Sequence, residues 1–183
     1  MKNFELKREN TLFLFVDIQD SLLDAVFNKE LVFKNAKTLA MAAKIMDIES
    51  IVTLQYPKGL GNMNEEIYRE IENPITVEKL HFSCVKDENF MNKLNELNKK
   101  QIVLLGIEAH VCCLQTARDL INSGFEVFCV NDALGSRAKE NYENALDMLK
   151  DMGCVVTNTE SVLFDLLIKA GGEEFKSIHK LIK

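Results

Sequence analysis

The stretch Gly106-Ile107-Glu108-Ala109-His110-Val111-Cys112-Cys113-Leu114-Gln115-Thr116-Ala117-Arg118-Asp119-Leu120 decides how the rest of the chain is read. It follows Gln101-Ile102-Val103-Leu104-Leu105, an apolar run rich in branched residues and closed by Gly106, which predicts a buried parallel strand. A helix is predicted from about Val111. Leu114, Ala117, Leu120 and Ile121 recur at helical spacing, and Gly124 stands where a left-handed cap would end it. Cys112 then falls in the first turn of a helix that follows a strand. Unpaired backbone N–H groups and the positive end of the helix dipole favour an anion there, so the thiol is expected to be biased toward thiolate. The plainer reading is that a free cysteine is a small apolar filler. Position alone does not decide between the two.

Outward from this stretch the chain alternates strand and helix. Thr11-Leu12-Phe13-Leu14-Phe15-Val16 is an apolar strand that ends in Asp17-Ile18-Gln19-Asp20, which puts a carboxylate at its carboxyl end. From about Ser21 to Ile48, the residues Val32, Ala36, Leu39, Ala40, Ala43 and Met46 form one apolar stripe of a crossover helix. Ile51-Val52-Thr53-Leu54 is a second strand, and Gln55 to Gly61 reads as loop. A short helix is expected near Asn64 to Ile71, then a weaker strand, Pro74-Ile75-Thr76-Val77, leading to Lys79. Asp87 caps a helix carrying Phe90, Met91, Leu94 and Leu97. Beyond the central stretch come the strand Glu126-Val127-Phe128-Cys129-Val130, a loop from Asn131 to Arg137, and a helix from Lys139 to Met152. The strand Cys154-Val155-Val156-Thr157 follows, then a helix from Ser161 to Ala170 capped by Thr159 and stopped by Gly171-Gly172. The tail is expected to add one amphipathic turn.

Six such alternations predict a three-layer, doubly wound α/β fold with a mostly parallel sheet, treated as one domain over residues 1–183. In open sheets of this kind the crevice lies past the carboxyl ends of the strands. Asp17, Lys79 and Cys112 all fall there.

The net charge of -6 speaks against nucleic acid or an anionic membrane as the main partner, because either calls for a basic patch. No run approaches the roughly 18 apolar residues of a membrane span. The first ten residues, Met1 to Asn10, mix charges and lack the apolar core of a signal peptide, so a cytoplasmic protein is expected. Cys84, Cys112, Cys113, Cys129 and Cys154 contain no C-x-x-C pair, which argues for reduced thiols over a disulfide framework or zinc site.

A carboxylate, an ammonium and a thiol in one crevice can perform hydrolysis. Asp17 can take the thiol proton, Lys79 can hold the thiolate by charge, and Cys112 can attack a carbonyl to form an acyl-enzyme. Backbone N–H groups at the helix start can stabilise the developing oxyanion. Taken singly, each charged residue is more often a solvated side chain or a cap.

The pattern Val16-Asp17-Ile18-Gln19, then Lys79 ahead of Phe82-Ser83, then Gly106 to Cys112 with Gln115-Thr116-Ala117, then Asp132-Ala133 with Ser136-Arg137, resembles the isochorismatase-like cysteine hydrolases. It covers about residues 10 to 170. Gln55-Tyr56-Pro57-Lys58-Gly59-Leu60-Gly61 and the Cys112 motif are most similar to isochorismatase domain-containing proteins of undefined substrate. The resemblance implies six strands in order 3-2-1-4-5-6 and a catalytic triad of Asp17, Lys79 and Cys112. It also implies a cis peptide between Ile107 and Glu108, with an oxyanion hole made by the backbone N–H groups of Glu108 and Cys112. Gln19, Tyr56 and Phe82 are expected to line the substrate pocket. The expected partner is a small-molecule substrate, with no cofactor, no metal, no nucleic acid and no membrane. A homo-oligomer is expected, for which the apolar segment Val162 to Ile168 is either an interface or core.

Nicotinamidases of this superfamily carry an Asp and two His after strand 2 that bind a metal, and this chain has Gln55-Tyr56-Pro57 there. Isochorismatases that cleave an enol ether typically lack the cysteine, which is present here. Amide or carbamoyl hydrolysis is therefore the leading expectation, with a non-catalytic interaction module or a non-covalent enol-ether hydrolase as alternatives. His110 is two residues from Cys112, and side chains at that spacing do not face each other on a helix. Cys113 is next to Cys112 but points about 100° away on a helix, so one thiol faces the crevice. Arg137 is either a grip for a substrate carboxylate or a partner of Asp132.

Overall fold

The computed structural model describes residues 4–183; Met1–Asn3 of the charged N-terminal segment lie outside the described residues. Six strands, β1 (Thr11–Val16), β2 (Ser50–Gln55), β3 (Ile75–Lys79), β4 (Gln101–Ile107), β5 (Glu126–Gly135) and β6 (Val155–Thr157), form one sheet in the order β3-β2-β1-β4-β5-β6. Every pairing is parallel. The helices are α1 (Asp20–Leu23), α2 (Lys29–Met46), α3 (Pro57–Leu60), α4 (Glu65–Tyr68), α5 (Glu88–Leu97), α6 (Leu114–Asn122), α7 (Lys139–Met152), α8 (Thr159–Leu167) and α9 (Gly172–Leu181).

Side chains alternate across a strand, and this sheet is buried on both faces, so consecutive residues feed two separate cores. Phe13, Phe15, Val52, Val103 and Leu105 meet Leu39 and Met46 of α2, Leu163 and Leu166 of α8 and Ile178 of α9 on one face. Leu12, Leu14, Ile51, Ile102 and Leu104 meet Phe90 and Leu94 of α5, Ala117 and Leu120 of α6, and Leu149 of α7 on the other. Helices on both faces of a parallel sheet in this order make the doubly wound fold that the alternation predicts.

Gly106 lets β1 and β4 close on each other. It pairs with Val16 at φ +129°, and a Cβ there would stand 2.0 Å from the Val16 carbonyl oxygen. The register between β4 and β5 shifts at this point, from Leu104 opposite Cys129 to Gly106 opposite Leu134. The chain from Asn131 to Gly135, expected as loop, is therefore the second half of β5.

The single helix expected from Ser21 to Ile48 is two helices. The end of β5 captures the intervening backbone: Phe27 N–H donates to Ser136 O at 3.0 Å and Asn28 Nδ2 donates to Leu134 O at 2.9 Å. Gln55 to Gly61 is not all loop, because Pro57 occupies the first helical position of α3, where its missing N–H costs nothing. β3 runs on to Lys79. Helix α8 is capped by Asn158, which accepts from Ser161 N–H, and Thr159 instead gives its N–H and hydroxyl to Asp132 Oδ1, each at 2.8 Å. That helix stops at Leu167, short of Ala170. The tail is not one turn but the ten-residue α9, docked through Ile178 and a paired Arg8–Glu174 contact at 2.8–2.9 Å. No helix among the described residues is long and apolar enough to cross a membrane.

Candidate active site

Asp17 is the first residue past β1 and is fully buried, with its backbone in the left-handed region at φ +51°. A non-glycine residue rarely sits there, and such conformations cluster at functional sites. Its N–H is anchored on Thr53 O at 3.2 Å. Its carboxylate accepts from Thr53 Oγ1 at 2.7 Å through Oδ1 and from Lys79 Nζ at 2.6 Å through Oδ2.

Lys79 ends β3, two strands from β1, a span of about 10 Å at the usual strand spacing. Only a long stem crosses that distance, and Lys79 lays its stem across the end of β2 with no side-chain exposure. Its ammonium also donates to Gln55 Oε1 at 2.7 Å and faces the carbonyl oxygens of His81 at 3.2 Å and Phe82 at 3.4 Å. Burial is the largest influence and works against the ammonium charge, but Asp17 together with smaller effects from Cys84 and Cys112 more than offsets it, and the pKa lies above the ordinary lysine value.

Cys112 arrives from the other side of the switch point. Between β4 and α6 the chain makes a wide π-type turn, Ala109–Cys113, a form often found at functional sites. The peptide joining Ile107 to Glu108 is cis. The turn leaves Cys112 7% exposed, close enough to Asp17 and Lys79 for their charges to act on its thiol, while Cys113 is sealed in the core. The structure therefore brings Asp17, Lys79 and Cys112 together.

The charge state of the thiol reverses the expectation from the helix start. Burial, followed by the nearby Asp17 carboxylate, pushes Cys112 up to about 12, and Lys79 offsets only part of this. The physical reason is that the ammonium is already committed to Asp17. Burial thus favours the thiol form of Cys112, and the Lys79 ammonium is held on Asp17.

Around this trio lie groups that the sequence did not single out. Thr53 and Gln55 come from β2, and Cys84 sits behind Thr53 with Sγ 3.9 Å from its hydroxyl. A Thr inside a buried strand reads simply as strand, and the parallel register that sets Gln55 beside Lys79 exists only in the folded sheet. Gln19, expected at the pocket wall, is instead fully buried. Its amide accepts from Gln55 N–H at 2.8 Å and donates to Gln55 O at 3.0 Å and Gly61 O at 2.6 Å.

Tyr56 and Phe82 are 50% and 55% exposed beside the end of β3, together with Leu80 at 71%. Tyr56, Leu80 and His81 line a cleft of ≈ 380 Å³ that also reaches Lys79. His110 turns away from Cys112: Nδ1 meets Ser136 Oγ at 3.0 Å and Nε2 meets Asn141 Nδ2 at 3.4 Å. Arg137 does not pair with Asp132. Its Nε and backbone N–H both donate to Glu108 Oε1, at 2.9 and 3.1 Å. Among the described residues no three His, Cys, Asp or Glu side chains are grouped to hold a metal ion.

Such a site can transfer a proton from sulfur to carboxylate without solvent. The chain as a whole is similar to known proteins. Residues 11–161 match the isochorismatase domain family. The chain is 37% identical over 175 residues to the secreted isochorismatase effector Isc1 of Phytophthora sojae, covering 93% of this chain and 83% of that protein. It is 36% identical over 178 residues to isochorismatase domain-containing protein 2 of Danio rerio, covering 97% and 89%. Among solved structures, MAR1 ribonuclease from Caenorhabditis elegans superposes with a TM-score of 0.91 at 30% identity, covering 97% of this chain and 92% of that one.

Proposed function

The chain belongs to the isochorismatase family, and from that premise we propose that it is a metal-independent cysteine hydrolase that cleaves a C–N bond, in an amide or carbamoyl group of a small molecule, through a covalent acyl-enzyme. The observation that carries the proposal is the buried contact set of Cys112, Asp17 and Lys79. The three groups act in sequence. As Cys112 Sγ attacks the carbonyl carbon, its proton passes to Asp17 and the C=O electron pair moves onto oxygen. We assign that oxyanion to the backbone N–H groups of Glu108 and Cys112, at the start of the π-type turn. Collapse of the adduct breaks the C–N bond, and the amine leaves with the proton held by Asp17. Water then gives its proton to Asp17 and attacks the thioester, the sulfur leaves, and the proton returns to it. Lys79 orients Asp17 for that transfer through the 2.6 Å contact, with its other donors engaged by Gln55 and the His81 carbonyl.

Tyr56 and Phe82 supply apolar walls for the substrate body. A reducing, cytoplasmic setting suits five cysteines that form no disulfide, although one relative is a secreted effector. Self-association suits the exposure of Leu80 and Ile168.

The test is a panel of primary amides and carbamoyl compounds incubated with purified protein, reading amine release together with the intact mass. Turnover with an adduct on Cys112 that Cys112→Ser removes supports the proposal. An absence of both across the panel counts against it. RNA cleavage is a second reading, favoured by the name of the Caenorhabditis elegans structure. The net charge of -6 weighs against it, because RNA binding rests on cationic contacts. Degradation of single-stranded RNA that survives Cys112→Ser would favour that reading.

A further inference from the structure

A lysine ammonium has three N–H groups, and in this site all three are placed. One goes to Asp17 Oδ2 at 2.6 Å and one to Gln55 Oε1 at 2.7 Å, while the third faces the carbonyl oxygens of His81 and Phe82 at 3.2 and 3.4 Å. None is left over for the sulfur of Cys112. Gln55 is itself held at both ends. Its Nε2 donates to Leu80 O at 2.9 Å, so its oxygen and not its NH₂ meets the ammonium, and its backbone N–H and C=O are both clamped by the buried amide of Gln19.

We propose that Gln55 is a positioning residue: its side-chain oxygen holds the Lys79 ammonium on Asp17 and away from Cys112. The proposal deepens the hydrolase reading and rests on it for its catalytic meaning. The charge count explains why an amide stands here. Asp17, Cys84 and Cys112 are the titratable groups that face Lys79, and Cys113 lies behind Cys112. With a neutral acceptor at 55 the charges of Asp17 and Lys79 cancel. A second carboxylate at that position would leave the dry site negative beside the thiol, and an absent acceptor would free one N–H to turn toward sulfur.

These two changes push the thiol in opposite directions, which a purely structural role for Gln55 does not do. The measurement is the rate of Cys112 alkylation by iodoacetamide from pH 7 to 10, followed by peptide mass spectrometry, with a thermal melt of each variant. Gln55→Glu is expected to slow alkylation about tenfold at a given pH, a one-unit rise in the thiol pKa. Gln55→Met is expected to speed it by about the same factor. Gln55→Asn, one methylene too short to reach Nζ, should follow Gln55→Met and serves if either of the others fails to fold. Unchanged rates in all variants overturn the proposal, as do rates that all move the same way in step with the melting temperature. Failure of the hydrolase reading would appear separately, as no turnover by the unsubstituted protein in the amide panel, with these alkylation rates unaffected.

Discussion

Lys79 Nζ and Asp17 Oδ2 meet at 2.6 Å with neither side chain reaching solvent, although their strands are separated in the sheet by β2. Removing two charges from water costs several kcal/mol each, and their mutual attraction returns that only when the remaining donors and acceptors are satisfied. Here they are, by Thr53, Gln55 and the loop carbonyls after β3. The pair therefore defines the dry floor on which Cys112 rests.

Breaking that pair from one side should be costly. Lys79→Met leaves a buried carboxylate without its partner and is expected to lose about 3–5 kcal/mol of stability. The double variant Lys79→Met/Asp17→Leu should be more stable than Lys79→Met alone, as read by urea denaturation, while remaining inactive. A double variant that is less stable than both singles would contradict this account.

The two adjacent thiols should separate cleanly. Cys112→Ala is expected to reduce turnover by about 10³-fold or more, since the covalent route is lost. Cys113→Ala, at a site sealed in the core, should cost about 1 kcal/mol of stability and leave most of the activity. Activity assays and melts on both proteins decide the matter. Full activity in Cys112→Ala would remove the nucleophile from the mechanism.

Cys112 should not titrate near pH 8.5. Its pKa is pushed up to about 12, so iodoacetamide labelling should keep rising through pH 10 without a plateau. The same shift has a stability consequence. The folded thiol holds its proton where the unfolded one has lost it, so its contribution is intact below about pH 8.5 and is lost as pH rises from there toward 12. Cys112→Ala should flatten alkaline unfolding by up to about 1.4 kcal/mol per pH unit over that window. A plateau in labelling near pH 7 would mean that the thiolate is already formed at rest.

Gly106→Ala should be among the most damaging single changes in the chain. A methyl group 2.0 Å from Val16 O, at φ +129°, combines a steric overlap with backbone strain. A loss of about 3 kcal/mol or more is expected, with Asp17 displaced because it follows Val16 directly. Chemical denaturation and a crystal structure of the variant would show it. A wild-type unfolding midpoint would rule out the close approach of β1 and β4.

Turnover should survive EDTA. The proposed route runs through sulfur and carboxylate, and among the described residues no cluster of metal-binding side chains accompanies it. Loss of activity in chelator, restored by zinc, would overturn metal independence.

The sequence by itself determined the alternation of six apolar strands with helices, because parallel strands buried on both faces carry continuous branched runs whose period no loop imitates. It also marked Asp17, Lys79 and Cys112, since each stands at or just past a strand end, where an open sheet leaves its crevice. Tertiary structure decided what local pattern cannot express. The break between α1 and α2 comes from β5 capturing Phe27 and Asn28, more than a hundred residues away in sequence. Gln19 and Gln55 became braces of the site only when β1, β2 and β3 were aligned in register. Cys112 shows the same: the position at a helix start favours thiolate, but burial and the Asp17 carboxylate favour the thiol, with Lys79 offsetting only part. Local spacing sets which groups lie near one another, and only the folded geometry sets how a shared proton or a shared cation is divided among them.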